Sequence, residues 1–313
     1  RSQHEHRSHR HKHISVGIDM STITSLISSG GGGGSSVNDI KFANSTANLI
    51  TTESDEVWLK GGVTETDTTT YPDATGGMAY TGVNFSVNSQ ATNPKGAVWT
   101  GTHFWVIDQA TAHLYKYNPS GTYTGIGFYT GSQGNGAQGV AWDGTYLWVV
   151  DSGTDKVSKY NSSGVYQNVF FSVNSQAPAP EGIVWDGTHF WVVCSSTDAV
   201  YKYNSAGVYQ NVSFSVAANE ASPEGITWDG TNFYVVGGQW NSFMKYSANG
   251  TFIANVLSVY AQDTALKGVT HDGSSFWIVG DANNSLFKYQ NQIGIVARNL
   301  AGSGEGHNYV RIK

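Results

Sequence analysis

The chain has 313 residues and a formal charge of -6, with 13% charged residues, about half the usual share, and an equal 13% of aromatic ones. An acidic balance excludes a protein that holds nucleic acid by neutralising its phosphates, and no apolar run approaches the roughly 20 residues of a membrane-spanning helix. With 38 glycines, 17 tyrosines and 10 tryptophans, the composition points to many short strands joined by tight turns.

Residues 1–19 carry five of the ten histidines, from His4 to His13. That density could chelate a metal, but it reads as a tag-like or upstream segment, with Met20 as the natural start and no apolar core of a secretory signal. Residues 20–36 pass from the weakly apolar Ile23–Ile27 into the glycine run Gly30–Gly34. Such a run loses the most backbone freedom on ordering, so it is expected to be a flexible joint. Residues 37–77 contain Val57-Trp58-Leu59, Gly61-Gly62 and a Thr-rich stretch ending at Tyr71-Pro72. They are expected to form a β-rich attachment segment outside the repeat.

From residue 78 a 43-residue repeat takes over. Trp99, Trp142, Trp185 and Trp228, then His271, fall at that step, and so do Lys116, Lys159, Lys202, Lys245 and Lys288. Asp143-Gly144, Asp186-Gly187, Asp229-Gly230 and Asp272-Gly273 are two-residue hairpin signals, and Asn204 to Gly207 marks a second turn in each copy. Connections this short allow only antiparallel neighbours. Each copy is therefore a four-stranded meander, A to D, and such sheets bury both faces by fanning around an axis. The expected fold is all-β: a β-propeller of about five blades over 78–289.

Residues 79–87 match strand D of later copies, whereas the last copy, 268–289, supplies only A, B and C. The two ends are expected to complete one blade, with residues 290–313 pairing with 37–77 as a small mount. Six blades remain open if 37–77 and 290–313 build another.

The A–B and C–D turns hardly vary between copies, while the D–A and B–C loops vary strongly, as at Cys194-Ser195-Ser196-Thr197 and Gly237-Gly238-Gln239-Trp240. Uniform turns serve folding; varied loops are free to carry a site. On the varied face the residue before each strand A runs Lys95, Gln138, Glu181, Glu224, Lys267 around the channel mouth. Such a ring could bind a sugar or zwitterion, or simply solvate the rim. Trp240 is either an exposed stacking platform or a packing residue. These six are the candidate ligand-binding residues. The ladder lysines, recurring in every blade, are read as structural or solvated.

Catalysis finds little support in the sequence. His103 and His189 lie in hairpin turns, and His271 replaces a core-type Trp. No nucleophile elbow, metal-spaced cluster or phosphate loop is present, so no catalytic residue, metal or cofactor is expected. Calcium at Asp151 and Asp155 would be a weak site. Cys194, the lone cysteine, lies in an apolar run as a buried thiol.

The stretch from Met20-Ser21-Thr22 to the glycine run, Asp55-Glu56-Val57-Trp58-Leu59-Lys60-Gly61-Gly62, Thr68 to Thr75 and the ending Tyr309-Val310-Arg311-Ile312-Lys313 resemble bacteriophage tail-fibre and tail-associated proteins of marine phages. The repeats themselves look more like NHL-type or quinoprotein-like propellers than like WD40 repeats. The tail resemblance implies a non-enzymatic virion protein in the tail, a homo-oligomer whose propeller meets a host-surface glycan or protein and whose mount meets other tail proteins. The alternatives are a secreted bacterial surface propeller that binds glycans or assembles into a filament, and a propeller enzyme of the lyase or cyclotransferase kind.

Overall fold

The computed structural model describes residues 78–258 and 262–291, together with four short strands at 48–51, 57–60, 295–298 and 309–312. The His-rich segment, the glycine joint and most of the attachment segment lie outside the described residues.

In chain order, β1 (Asn48–Thr51) and β2 (Val57–Lys60) precede β3 (Met78–Ser86). Blade 1 holds β4 (Pro94–Trp99), β5 (Phe104–Asp108), β6 (His113–Tyr117) and β7 (Tyr123–Tyr129). Blade 2 holds β8 (Ala137–Trp142), β9 (Leu147–Asp151), β10 (Lys156–Tyr160) and β11 (Tyr166–Ser172). Blade 3 holds β12 (Pro180–Trp185), β13 (Phe190–Cys194), β14 (Ala199–Tyr203) and β15 (Tyr209–Ser215). Blade 4 holds β16 (Pro223–Trp228), β17 (Asn232–Gly237), β18 (Ser242–Ser247) and β19 (Phe252–Ser258). Blade 5 takes β20 (Leu266–His271), β21 (Phe276–Gly280) and β22 (Ser285–Asn291), and borrows β3 as its outermost strand.

That borrowed strand closes the ring. Ser86 pairs with Ser285, Phe85 with Leu286 and Tyr80 with Tyr289, all antiparallel. Every blade is a four-stranded antiparallel meander, so the propeller has five blades and not six. A separate four-stranded sheet joins the chain ends in the order β1-β2-β24-β23, where β23 is Ile295–Arg298 and β24 is Tyr309–Ile312.

The propeller core lies between blades. Strand B is buried along its whole length in four blades, and in blade 4 along all but its first residue, Asn232, because both its faces meet a neighbour. The phenylalanine of one outer strand packs on the strand C tyrosine of the next blade. Phe85–Tyr117, Phe128–Tyr160, Phe171–Tyr203 and Phe214–Tyr246 have ring centroids 5.4–5.9 Å apart. The same phenylalanines lie under the C–D turn of that next blade. At Gly207, φ is +79° and a Cβ would overlap the Phe171 ring, so the turn requires glycine for both backbone and space.

Candidate functional site

Strand A begins identically in all blades: a buried residue, a rim residue, then glycine. In blade 3, Pro180 pairs with Cys194 and Gly182 with Val193, so Glu181 is the extra residue of a β-bulge. The same register shift sets off Lys95, Gln138, Glu224 and Lys267. A bulged residue leaves the ladder and its side chain is re-aimed. Four of the five, Lys95, Glu181, Glu224 and Lys267, line the channel mouth directly.

The glycine that follows each rim residue explains how close the ring can draw. A Cβ at Gly139 would lie 2.8 Å from the Glu181 carbonyl oxygen, and one at Gly268 would lie 2.7 Å from that of Lys95. Only glycine lets five inner strands converge so tightly. The free space at this mouth is accordingly about 10 Å³. This glycine ring is the feature that sequence reasoning missed, although a glycine inside a strand pattern at a 43-residue step is its signal.

The rim residues are half-buried and mostly paired. Lys267 Nζ donates to Glu224 Oε1 at 2.7 Å, Lys95 Nζ reaches Asp281 Oδ2 at 3.1 Å, and Gln138 Nε2 donates to Ser152 Oγ at 3.1 Å. Glu181 is the odd member. Among the described residues its Oε1 accepts only the Ser195 hydroxyl, at 2.9 Å, and no lysine is bonded to it. Burial, with the adjacent Glu224 charge, pushes its carboxyl up to about 7, against weaker opposition from the Ser195 hydrogen bond, Lys267 and Lys95. The five rim side chains are thus each fixed by a hydrogen bond.

Trp240 is 46% exposed in the B–C loop of blade 4, which settles its orientation in favour of an open indole. The loop starts at Gly237-Gly238, where a Cβ on Gly238 would lie 2.9 Å from Glu224 Oε1. Part of the loop variation, however, serves packing. Strand B ends in Asp108 and Asp151, whose carboxylates accept loop N–H groups at 2.6–2.8 Å. Where the last residue is Gly237 or Gly280, the buried carboxylates of Glu220 and Asp263 fill that space instead. Asp151 is thereby committed to its own loop, and among the described residues no three acidic, His or Cys side chains gather to hold a metal. Cys194 is buried, its Sγ 2.9 Å from the Pro178 carbonyl oxygen.

The other mouth departs from the sequence reading. Trp99, Trp142, Trp185, Trp228 and His271 are half-buried, not core, and they line a cavity of about 110 Å³ between the A–B hairpins. Just outward, each ladder lysine places Nζ 5.1–5.6 Å from the strand B aromatic of its own blade, Trp105, Trp148, Trp191, Tyr234 or Trp277. These are cation–π contacts, and they give the lysines the structural role expected of them.

Fold and rim together define a five-bladed propeller with a charged, bulge-built mouth. No protein-family profile and no curated protein matches the chain. Among solved structures it is similar to glutaminyl cyclase of Myxococcus xanthus, with a TM-score of 0.54 and 14% identity over 68% of this chain and 95% of that one. Virginiamycin B lyase of Staphylococcus aureus also matches, with a TM-score of 0.44 and 16% identity over 78% of this chain and 80% of that one. Identities this low show a shared fold.

The expectation of a non-enzymatic virion tail protein is not borne out: no tail protein is among these matches, and the Myxococcus xanthus neighbour is an enzyme by name, although the likeness itself extends to the fold alone. The absence of linear catalytic motifs is a weak guide on this fold. On a propeller, the groups meeting at a mouth come from different blades, 43 residues apart here, and leave no local signature.

Proposed function

We propose that this chain is a propeller enzyme of the cyclotransferase or lyase kind, with Glu181 as its acid–base group. The observation that carries the reading is one bulge-held carboxyl at the ring mouth, pushed up to about 7 and, among the described residues, bonded to no cation. Both kinds of reaction are redox-neutral. Each needs a group that takes a proton at one position and returns it to a leaving group, and a carboxyl titrating near neutrality serves in both directions.

The narrow mouth means that a substrate lies across the rim rather than inside the channel. Lys95 and Lys267 offer donors for a carbonyl oxygen, Glu181 and Glu224 face an amine, and the open indole of Trp240 offers a surface to stack on. A peptide end with an amine and a carbonyl fits that set. The Myxococcus xanthus neighbour supplies the first substrate to try, a peptide with amino-terminal glutamine. There the α-amino nitrogen would bond to the side-chain amide carbon, the bond to the amide nitrogen would break, and Glu181 would pass the amine's proton to the departing ammonia.

Ammonia release and the mass of the peptide product test this. Turnover by the wild type, lowered about 100-fold or more in Glu181→Gln, is the expected result, within the usual range for loss of an acid–base group. No turnover by the wild type, or full turnover by the variant, would overturn the reading.

A further inference from the structure

The first residue after strand B runs Gln109, Ser152, Ser195, Gly238, Asp281 through the five blades. In four of them it decides what holds a rim side chain. Asp281 takes Lys95 of the neighbouring blade at 3.1 Å. Gly238 offers no side chain, and Glu224 is held by Lys267 instead. The two serines hold the rim residues of their own blades. In blade 2, Ser152 Oγ accepts from Gln138 Nε2 at 3.1 Å and donates its proton to the Gly136 carbonyl oxygen at 3.2 Å. In blade 3 the equivalent carbonyl oxygen, that of Ala179, lies 3.5 Å from Ser195 Oγ, and the nearer acceptor is Glu181 Oε1 at 2.9 Å. The same loop hydroxyl thus turns to the backbone where the rim residue is a donor and to the rim where it is a carboxyl.

Ser195 is itself firmly held. On one side of it Cys194 Sγ lies 2.9 Å from the Pro178 carbonyl oxygen, and on the other Ser196 Oγ donates to that same oxygen. Three consecutive side chains therefore tie the loop to residues 178–181, the segment that leads into the bulge. Among the described residues the Ser195 hydroxyl alone donates to the Glu181 carboxyl; the charges that face it, Glu224, Lys267 and Lys95, act on it without a bond. Glu181 Oε2 accepts no hydrogen bond among those residues and is not sealed from solvent. The carboxyl has one oxygen fixed and one open.

We propose that Ser195 is the positioning residue of Glu181: by donating to Oε1 it holds the carboxyl in place and leaves Oε2 as the atom that exchanges a proton with substrate. The inference rests on the reading of Glu181 as the acid–base group. A hydroxyl donated to a carboxylate favours the ionised form, so Ser195 also offsets part of the burial and Glu224 repulsion that favour the acid. A lysine bonded at the same place would stabilise the carboxylate more strongly and leave a weaker base. The neutral hydroxyl orients the group and keeps it able to take a proton near neutrality.

The test is a ¹³C titration of the Glu181 carboxyl in the intact chain, with Glu181→Gln identifying the signal, repeated in Ser195→Ala, Ser195→Thr and Ser152→Ala. Ser195→Ala is expected to raise the midpoint by about half a pH unit or more, because the ionised form loses its donor. Ser195→Thr keeps the hydroxyl and is expected to restore the wild-type midpoint. Ser152→Ala, the same change one blade away, is expected to leave it in place. On the peptide with amino-terminal glutamine, Ser195→Ala should lower kcat about tenfold with KM little changed, since the lost contact orients the catalytic group and not the substrate. An unchanged midpoint in Ser195→Ala, or an equal movement in Ser195→Thr or Ser152→Ala, would overturn the assignment. If the wild type leaves the peptide intact while the midpoint moves as expected, the acid–base reading falls and the hold of Ser195 on Glu181 stands.

Discussion

At the residue scale the account turns on Glu181. Its carboxyl moves from 4.5 to about 7 on folding, so the native state binds a proton that the unfolded chain has already released. A group shifted upward destabilises the fold as pH rises. The penalty begins near 4.5, where the unfolded carboxyl ionises, and is complete above 7, where the native one does too. Between pH 5 and 8 this single group is expected to cost about 2 kcal/mol of unfolding free energy. Glu181→Gln cannot ionise and escapes that loss. Urea unfolding of both proteins at the two pH values should therefore show the variant gaining on the wild type as pH rises; parallel behaviour would contradict the assigned environment. Legibility at this scale was partial. The position of Glu181 before strand A is plain in the repeat, but its isolation from the lysines is set by Asp281 and Glu224, which engage them instead and lie in other blades.

At the element scale, strand A is where fold and site meet. One bulge aims the rim residue, the next glycine lets neighbouring strands touch, and the residue that ends the strand walls the opposite cavity. Gly182→Ala tests the middle of that sequence. A Cβ there would lie 2.9 Å from the Gly225 Cα and 3.0 Å from the Glu224 carbonyl oxygen, both backbone atoms that cannot turn aside. Chemical denaturation should show a loss of about 1–3 kcal/mol, the usual cost of overpacking. Stability equal to the wild type would mean that the inner strands are not so closely drawn. The strands, hairpin turns and their order were legible because Asp-Gly pairs, Trp and Lys recur at a fixed step. The bulges were not, since a pairing shift depends on the partner strand. The tryptophans read as core anchors for the same reason: periodicity marks them as inward-facing, but inward here means toward an open channel.

At the scale of the whole molecule, the early strand β3 against β22 turns five repeats into a ring, as the match of 79–87 to later D strands foretells. Closure also makes the site. The charges acting on Glu181 come from Glu224 in blade 4, Lys267 in blade 5 and Lys95 in blade 1, so its proton affinity is a property of the closed ring rather than of its own blade. What the chain does was the least legible part, because a propeller mouth is assembled from single residues far apart in sequence. The composition and terminal segments drew attention to a displayed structural module, whereas the proposed chemistry rests on which rim charges are left unpaired. The most direct measurement is a ¹³C titration of the glutamate carboxyl carbons in the intact chain, with Glu181→Gln identifying the signal. A midpoint of about 7 for Glu181 is the expected result. A midpoint at the ordinary carboxylate value of about 4.3 would leave the mouth without its acid–base group and contradict the functional account.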